Sequence, residues 1–232
     1  MSEGRRLLSV FVAPNELFTD LGERPRWLVP FIILIVAAAV ASVLPRLLLP
    51  TEVWLDAMRR QIPASVEMSE EQMAAVMTTM RSPVSIALNA LGGILISGGG
   101  AILATLFFWA LFSILGGKIS FTRSFAVVSY SSLIKVVGMV LIVALTLILQ
   151  RLNIQTSLAL IPALKPNTYL YRLAAQVDFF TVWRLIVMGF GFAIVLNTSK
   201  VKSYLSVFVP WILLSVVLAA VMLSLSRFGL GR

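Results

Sequence analysis

The sequence predicts an all-α polytopic membrane protein, with five transmembrane helices and short amphipathic helices in the N-terminal segment and the loops. Composition gives the first reason. Of 232 residues, 59% are hydrophobic and 12% charged, and the mean hydropathy is +0.97. Soluble globular domains carry roughly 25% charged residues, so both a soluble domain and a disordered chain are excluded. Spacing gives the second reason: five apolar runs, each long enough for the roughly 20 residues a spanning helix needs, alternate with polar segments. The third is the absence of Cys and His, which excludes disulfides, thiolate or imidazole metal sites and Ser-His-Asp catalysis.

The net charge is +9. The basic residues are scattered singly between apolar runs, with no Lys/Arg cluster interleaved with aromatics, so nucleic acid is not an expected partner. They suit interfacial anchors facing anionic lipid headgroups.

Residues 1–26 predict an N-terminal interfacial segment, and residues 27–232 the transmembrane domain. Arg5-Arg6 before a short apolar run imitates a secretory leader, but Pro14-Asn15-Glu16 ends the run and no small-residue cleavage site follows, so no cleaved signal is expected. Leu7, Leu8, Phe11, Leu17, Phe18 and Leu21 against Glu16, Asp20 and Glu23 give an amphipathic pattern that suits a helix lying on the membrane.

The spans are expected at about 27–49, 84–115, 124–149, 179–196 and 204–226. Trp27 and Arg46 suit the two water boundaries of the first. Thr51 is placed to cap a helix that carries Glu52 and Asp56 early and Arg59 and Arg60 late, and that Pro63 stops. Ser69 with Gln72 forms a capping box for a second short helix, on which Met73, Met77 and Met80 share a face; packing is the favoured reading of that stripe.

The second span contains Gly92-Gly93 and Gly98-Gly99-Gly100. Gly93, Ser97, Gly100 and Ala104 form a small-residue face for close helix packing or oligomerisation. A broken helix is the sharper alternative reading of the triple glycine. Gly116-Gly117-Lys118 is a tight turn, Tyr169–Val177 has helical spacing, and Asp178 is a good N-cap for the fourth span. Gly189-Phe190-Gly191 is a packing feature.

Ionisable residues within spans are costly and are functional candidates. Lys135 lies in the third span and Arg184 in the fourth. Counting 1.5 Å per residue from the flanks puts them within about one helical turn of the same height. Ser129, Tyr130 and Ser132 add hydroxyls near Lys135, and Asp178 is the available acidic charge partner. The group forms a candidate lipid- or anion-binding site; snorkelling and packing are the structural alternative.

The order Asp178-Phe179-Phe180-Thr181-Val182-Trp183, Gly189, Ser199-Lys200, Pro210-Trp211, preceded by Gly116-Gly117, Ser120-Phe121 and Tyr130-Ser131-Ser132, resembles bacterial members of the Yip (Ypt-interacting protein) domain family. Within this order Asp178, Phe179, Trp183 and Gly189 are the motif-like positions. The resemblance implies a five-span protein with a cytoplasmic N-terminus. Eukaryotic relatives serve membrane trafficking and contact Rab-type small GTPases. The aspartate-leucine-tyrosine-glycine-proline element of that branch is absent, and Ile134 stands where many relatives have proline; both departures speak against GTPase binding and for a bacterial cytoplasmic membrane.

The expected function is therefore non-enzymatic membrane organisation, as a scaffold or a lipid- and protein-interacting module. A small-solute, anion or lipid transporter or channel is the alternative. Membrane lipids are the expected partners, with other membrane proteins or a second copy of the chain after them, and no cofactor is implied. Cations at Arg5, Arg6, Arg24, Arg26, Lys118, Arg123, Lys200 and Lys202 nearly tie in number with those of the other end, Arg46, Arg59, Arg60, Arg81, Arg151, Lys165, Arg172 and the tail residues Arg227 and Arg232. The first set lies in compact segments beside the spans and the second is diluted over longer loops, which predicts that the first end is cytoplasmic and the C-terminus outside.

Overall fold

The computed structural model describes residues 1–61, 69–166 and 168–227. The expected stop at Pro63 and the tail residue Arg232 lie outside the described residues. Among those described, helices make up nearly all the regular structure and no strand forms beyond one isolated bridge between Ser157 and Asp178.

The helices are α1 (Glu3–Val12), α2 (Pro14–Glu23), α3 (Leu28–Leu48), α4 (Thr51–Gln61), α5 (Glu70–Met80), α6 (Pro83–Ile114), α7 (Phe121–Ser131), α8 (Leu133–Leu149), α9 (Tyr169–Gln176), α10 (Phe179–Val195) and α11 (Lys200–Arg227). Four apolar stretches are long enough to cross a membrane: α3, α6, α7 with α8, and α11. The fourth expected span, α10, is apolar but has 17 residues.

The local signals work as physics requires. Ser69 and Gln72 form the reciprocal capping box of α5, and Asp178 accepts from the Thr181 amide at the start of α10. Met73 and Met77 are buried, so the Met stripe packs. Gly116 has φ +84°, the left-handed value that turns the chain between α6 and α7.

The triple glycine does not interrupt α6, which is continuous. Within the chain, its packing face takes in part of the expected one. A Cβ on Gly93 would lie 2.7 Å from the Ala38 carbonyl oxygen, so α3 and α6 approach closely there. Ser97, Ala101 and Thr105 continue that face. Gly100 faces open space, and Ala104 flanks the contact. The helix follows its four-residue ridge, 93-97-101-105, and the three-residue step from Ser97 carries Gly100 outward.

The N-terminal pair packs on the bundle. Leu17, Phe18 and Leu21 are fully buried in the main core, so they are not free to face lipid. A Cβ on Gly191 would meet the Phe18 ring at 2.7 Å, so α2 lies tightly on α10. At the same end, Trp27 stacks on Phe125 with ring centroids 4.6 Å apart. The bundle closes around α7, where Ser124–Ile134 are all buried.

Candidate functional site

Gly138 on α8 packs against Phe180 on α10, where an added Cβ would meet the ring at 2.8 Å. At the other end of α10, Leu196 lies beside Gly117, ahead of α7. The two helices therefore run antiparallel. Three residues back from Gly138 is Lys135, and four residues on from Phe180 is Arg184. That register places the two cations at similar height on packed helices. Both are half-buried, and among the described residues neither forms an ion pair. Lys135 is 14 residues from either end of the combined α7–α8 stretch, Phe121–Leu149, and so lies midway along it.

The hydroxyls expected around Lys135 divide. Ser132 donates to the Val128 carbonyl at 2.7 Å, as helical serines commonly do. Tyr130 is fully buried and donates at 3.4 Å to Glu3, in a different cluster. Ser129 is buried with its hydroxyl unpartnered among the described residues, as are those of Ser124 and Ser131.

Asp178 is not the partner of Arg184. Its carboxylate accepts from the Thr181 amide at 3.0 Å and from the Thr156 hydroxyl. Capping holds it at the helix end, too far along α10 for a direct pair. The other motif-like positions are packing residues. Trp183 meets Phe11 edge-on at 6.0 Å, and Gly189 receives the Tyr204 ring, which an added Cβ would meet at 2.6 Å. Phe179 caps the outer side of this aromatic group and remains exposed.

Sequence reasoning does not anticipate a second polar cluster. Arg6 is 1% exposed and pairs with Asp20 at 2.6 Å and with Glu3 at 2.9 Å. Arg26 reaches Glu3 at 3.0 Å, and the Met1 ammonium reaches Asp20 at 3.1 Å. Burial pushes the Asp20 carboxyl up, but hydrogen bonds from the N-terminal ammonium and Arg6, with their charges, outweigh it and hold the group below the usual carboxylate value. The three-residue spacing of Glu3 and Arg6 is the available sequence signal; the pairing with Asp20 depends on the turn between α1 and α2.

No group of His, Cys, Asp or Glu that could hold a metal occurs among the described residues. The arrangement supports recognition chemistry: paired cations inside an apolar bundle, and a closed ionic cluster at one end. The Yip1 domain model matches residues 8–221. No curated protein and no solved structure matches the chain.

Proposed function

The chain belongs to the Yip1-domain family of membrane proteins, and on that premise we propose that it is a non-enzymatic organiser of the bacterial cytoplasmic membrane. It acts as a scaffold that engages lipids and other membrane proteins, with its N-terminus in the cytoplasm. Small-GTPase binding is not part of the proposal. The fold then crosses the membrane five times. The 17 residues of α10 rise about 25 Å, slightly less than a bilayer core of about 30 Å.

One observation carries the lipid-binding part. Lys135 and Arg184 lie on packed helices, three residues from Gly138 and four from Phe180 where those helices touch, and neither has an acidic partner among the described residues. An uncompensated charge at that depth is costly, and an anionic headgroup or a hydrated phosphate reaching between α8 and α10 offsets it. Ser129 adds a free hydroxyl to the same stretch of chain.

Purification with native lipids, followed by mass spectrometry of bound lipids and proteins, tests this. The expected result is co-purified anionic lipid that falls in the Lys135→Met/Arg184→Met double variant. If that variant keeps the same lipid and gains stability, the charges are merely tolerated. Substrate-dependent flux in proteoliposomes, without a stoichiometric partner, would instead favour a transporter. Because the chain has no Cys, single Lys118→Cys and Asn153→Cys variants report topology cleanly. In intact cells only the latter should react with an impermeant reagent.

A further inference from the structure

We propose a second, separate lipid site: a groove between α3 and α8 that takes one phospholipid, with its phosphodiester at Arg46 and Trp54 and an acyl chain running inward. The site rests on the membrane placement proposed above, and on neither Lys135 nor Arg184.

Two cavities adjoin along this seam and share Ala41, Met139 and Val143 in their walls. The first, about 360 Å3, lies at the end of α3 and is lined by Arg46, Trp54, Asn89 and Thr146 among others. The second, about 350 Å3, is lined only by Ala, Val, Leu and Met side chains, including Val40, Leu44, Val140 and Leu147. The two overlap in depth, since Thr146 and Leu147 are neighbours on α8, but the first itself turns from Arg46, Trp54 and Thr146 at the end of α3 to Ala41, Met139 and Val143 further in.

The polar end lacks an acceptor. The indole N–H of Trp54 is buried without a hydrogen-bond partner among the described residues. A buried donor left in that state is costly. Arg46 forms no ion pair among the described residues, and its guanidinium sits 5.7 Å over the Trp54 ring. A phosphodiester has two free oxygens, one to accept from each donor, and the planar guanidinium fork suits phosphate. Ser42 is not available, since its hydroxyl donates to the Ala39 and Asn89 carbonyls.

Depth selects a lipid over a soluble anion. Arg46 is two residues from the end of α3, at headgroup level. Met139, at the inner end of the same cavity as Thr146, is seven residues deeper along α8, about 10 Å by helical rise. That is about a third of a bilayer core about 30 Å thick. A soluble phosphate fills only the polar end, whereas a phospholipid matches both halves and their order.

The test uses the full chain, delipidated in detergent and titrated with phosphatidylglycerol, with bound lipid counted by native mass spectrometry. Wild type should retain one lipid that Arg46→Gln weakens by about tenfold, the scale of a lost charged hydrogen bond. Trp54→Phe, which keeps the ring and removes the N–H, should weaken it less. Ala41→Phe, which fills the shared wall, should also reduce binding. A fold check by thermal unfolding accompanies each variant, and the conservative Trp54→Phe keeps the test usable if Ala41→Phe does not fold. Equal retention by wild type, Arg46→Gln and Trp54→Phe overturns the site. So does displacement of the lipid by inorganic phosphate at equal concentration. Lipid lost only from Lys135→Met/Arg184→Met overturns this groove and leaves the central site standing. Lipid lost only from the Arg46 and Trp54 variants does the reverse.

Discussion

Arg6 and the Lys135–Arg184 pair are both cations drawn into the bundle, and they are accommodated in opposite ways. Arg6 is almost wholly enclosed, with Asp20 at 2.6 Å and Glu3 at 2.9 Å. Neither Lys135 nor Arg184 forms an ion pair among the described residues. A buried charge with its counter-charges in place belongs to the architecture, because removing one partner leaves the other stranded. A buried charge without them is a candidate for completion from outside. The contrast separates a structural cluster from a candidate binding site more reliably than depth in the sequence does.

The largest expected effect breaks the architectural side. Asp20→Ala should cost about 3 kcal/mol, as expected when one member of a buried pair is removed, measured as thermal unfolding in detergent. A loss below about 0.5 kcal/mol, the range of an ordinary surface change, would place Arg6 with the mid-span cations. Acid should act on the same cluster. A carboxyl held below its usual value of 3.8 in the folded chain contributes stability that is complete above that value and lost as pH falls through the lower folded one. Docking of α1 and α2, followed by protease access, should therefore hold at neutral pH and weaken only below about pH 4.

Gly191→Leu comes next. The added side chain collides with the Phe18 ring, and overpacking of this kind costs about 1–3 kcal/mol. The N-terminal pair should loosen and become protease-sensitive while the remaining helices stay protected. Lys135→Met acts in the other direction, with stability unchanged or raised by up to about 2 kcal/mol, because an uncompensated intramembrane charge is removed. A clear loss of stability would show that Lys135 has a structural partner and would end the contrast. Gly100→Leu should do least. Its position is open, so unfolding should shift by no more than about 0.5 kcal/mol, against a clear loss for Gly93→Leu.

The parts of the fold legible in the sequence are set by neighbours in the chain. The capping box of Ser69 and Gln72, the Asp178 cap and the Gly116 turn each depend on a few adjacent residues. The packing of α8 on α10 near Lys135 and Arg184 is legible for a related reason: helical rise converts residue number into height, and consecutive antiparallel helices meet. What is not legible depends on rotation or on distant partners. Residues at i+3 and i+4 are both neighbours on a helix, so sequence alone does not choose between the Gly93-Ser97-Gly100 and Gly93-Ser97-Ala101 faces. The amphipathic pattern of residues 1–26 suits a lipid surface and a protein surface equally. Proximity along the chain places Tyr130 with Lys135, but its hydroxyl points to Glu3, 127 residues away in sequence.

The enclosed half-span α7 bears on how the chain is made. Its sequence, FTRSFAVVSYS, carries Arg123 in the first turn, followed by three serines and a tyrosine. The hydroxyls of those serines, Ser124, Ser129 and Ser131, are buried without partners among the described residues. Such a segment is poorly suited to contact acyl chains while emerging alone, because each unpaired polar group in hydrocarbon is costly. It gains from entering with the strongly apolar α8 directly behind it, and from α10 and the N-terminal pair arriving to cover it. Assembly of this protein is therefore expected to be late and concerted around α7, with exposed serines as the mark of a chain whose last helices have not yet been synthesised.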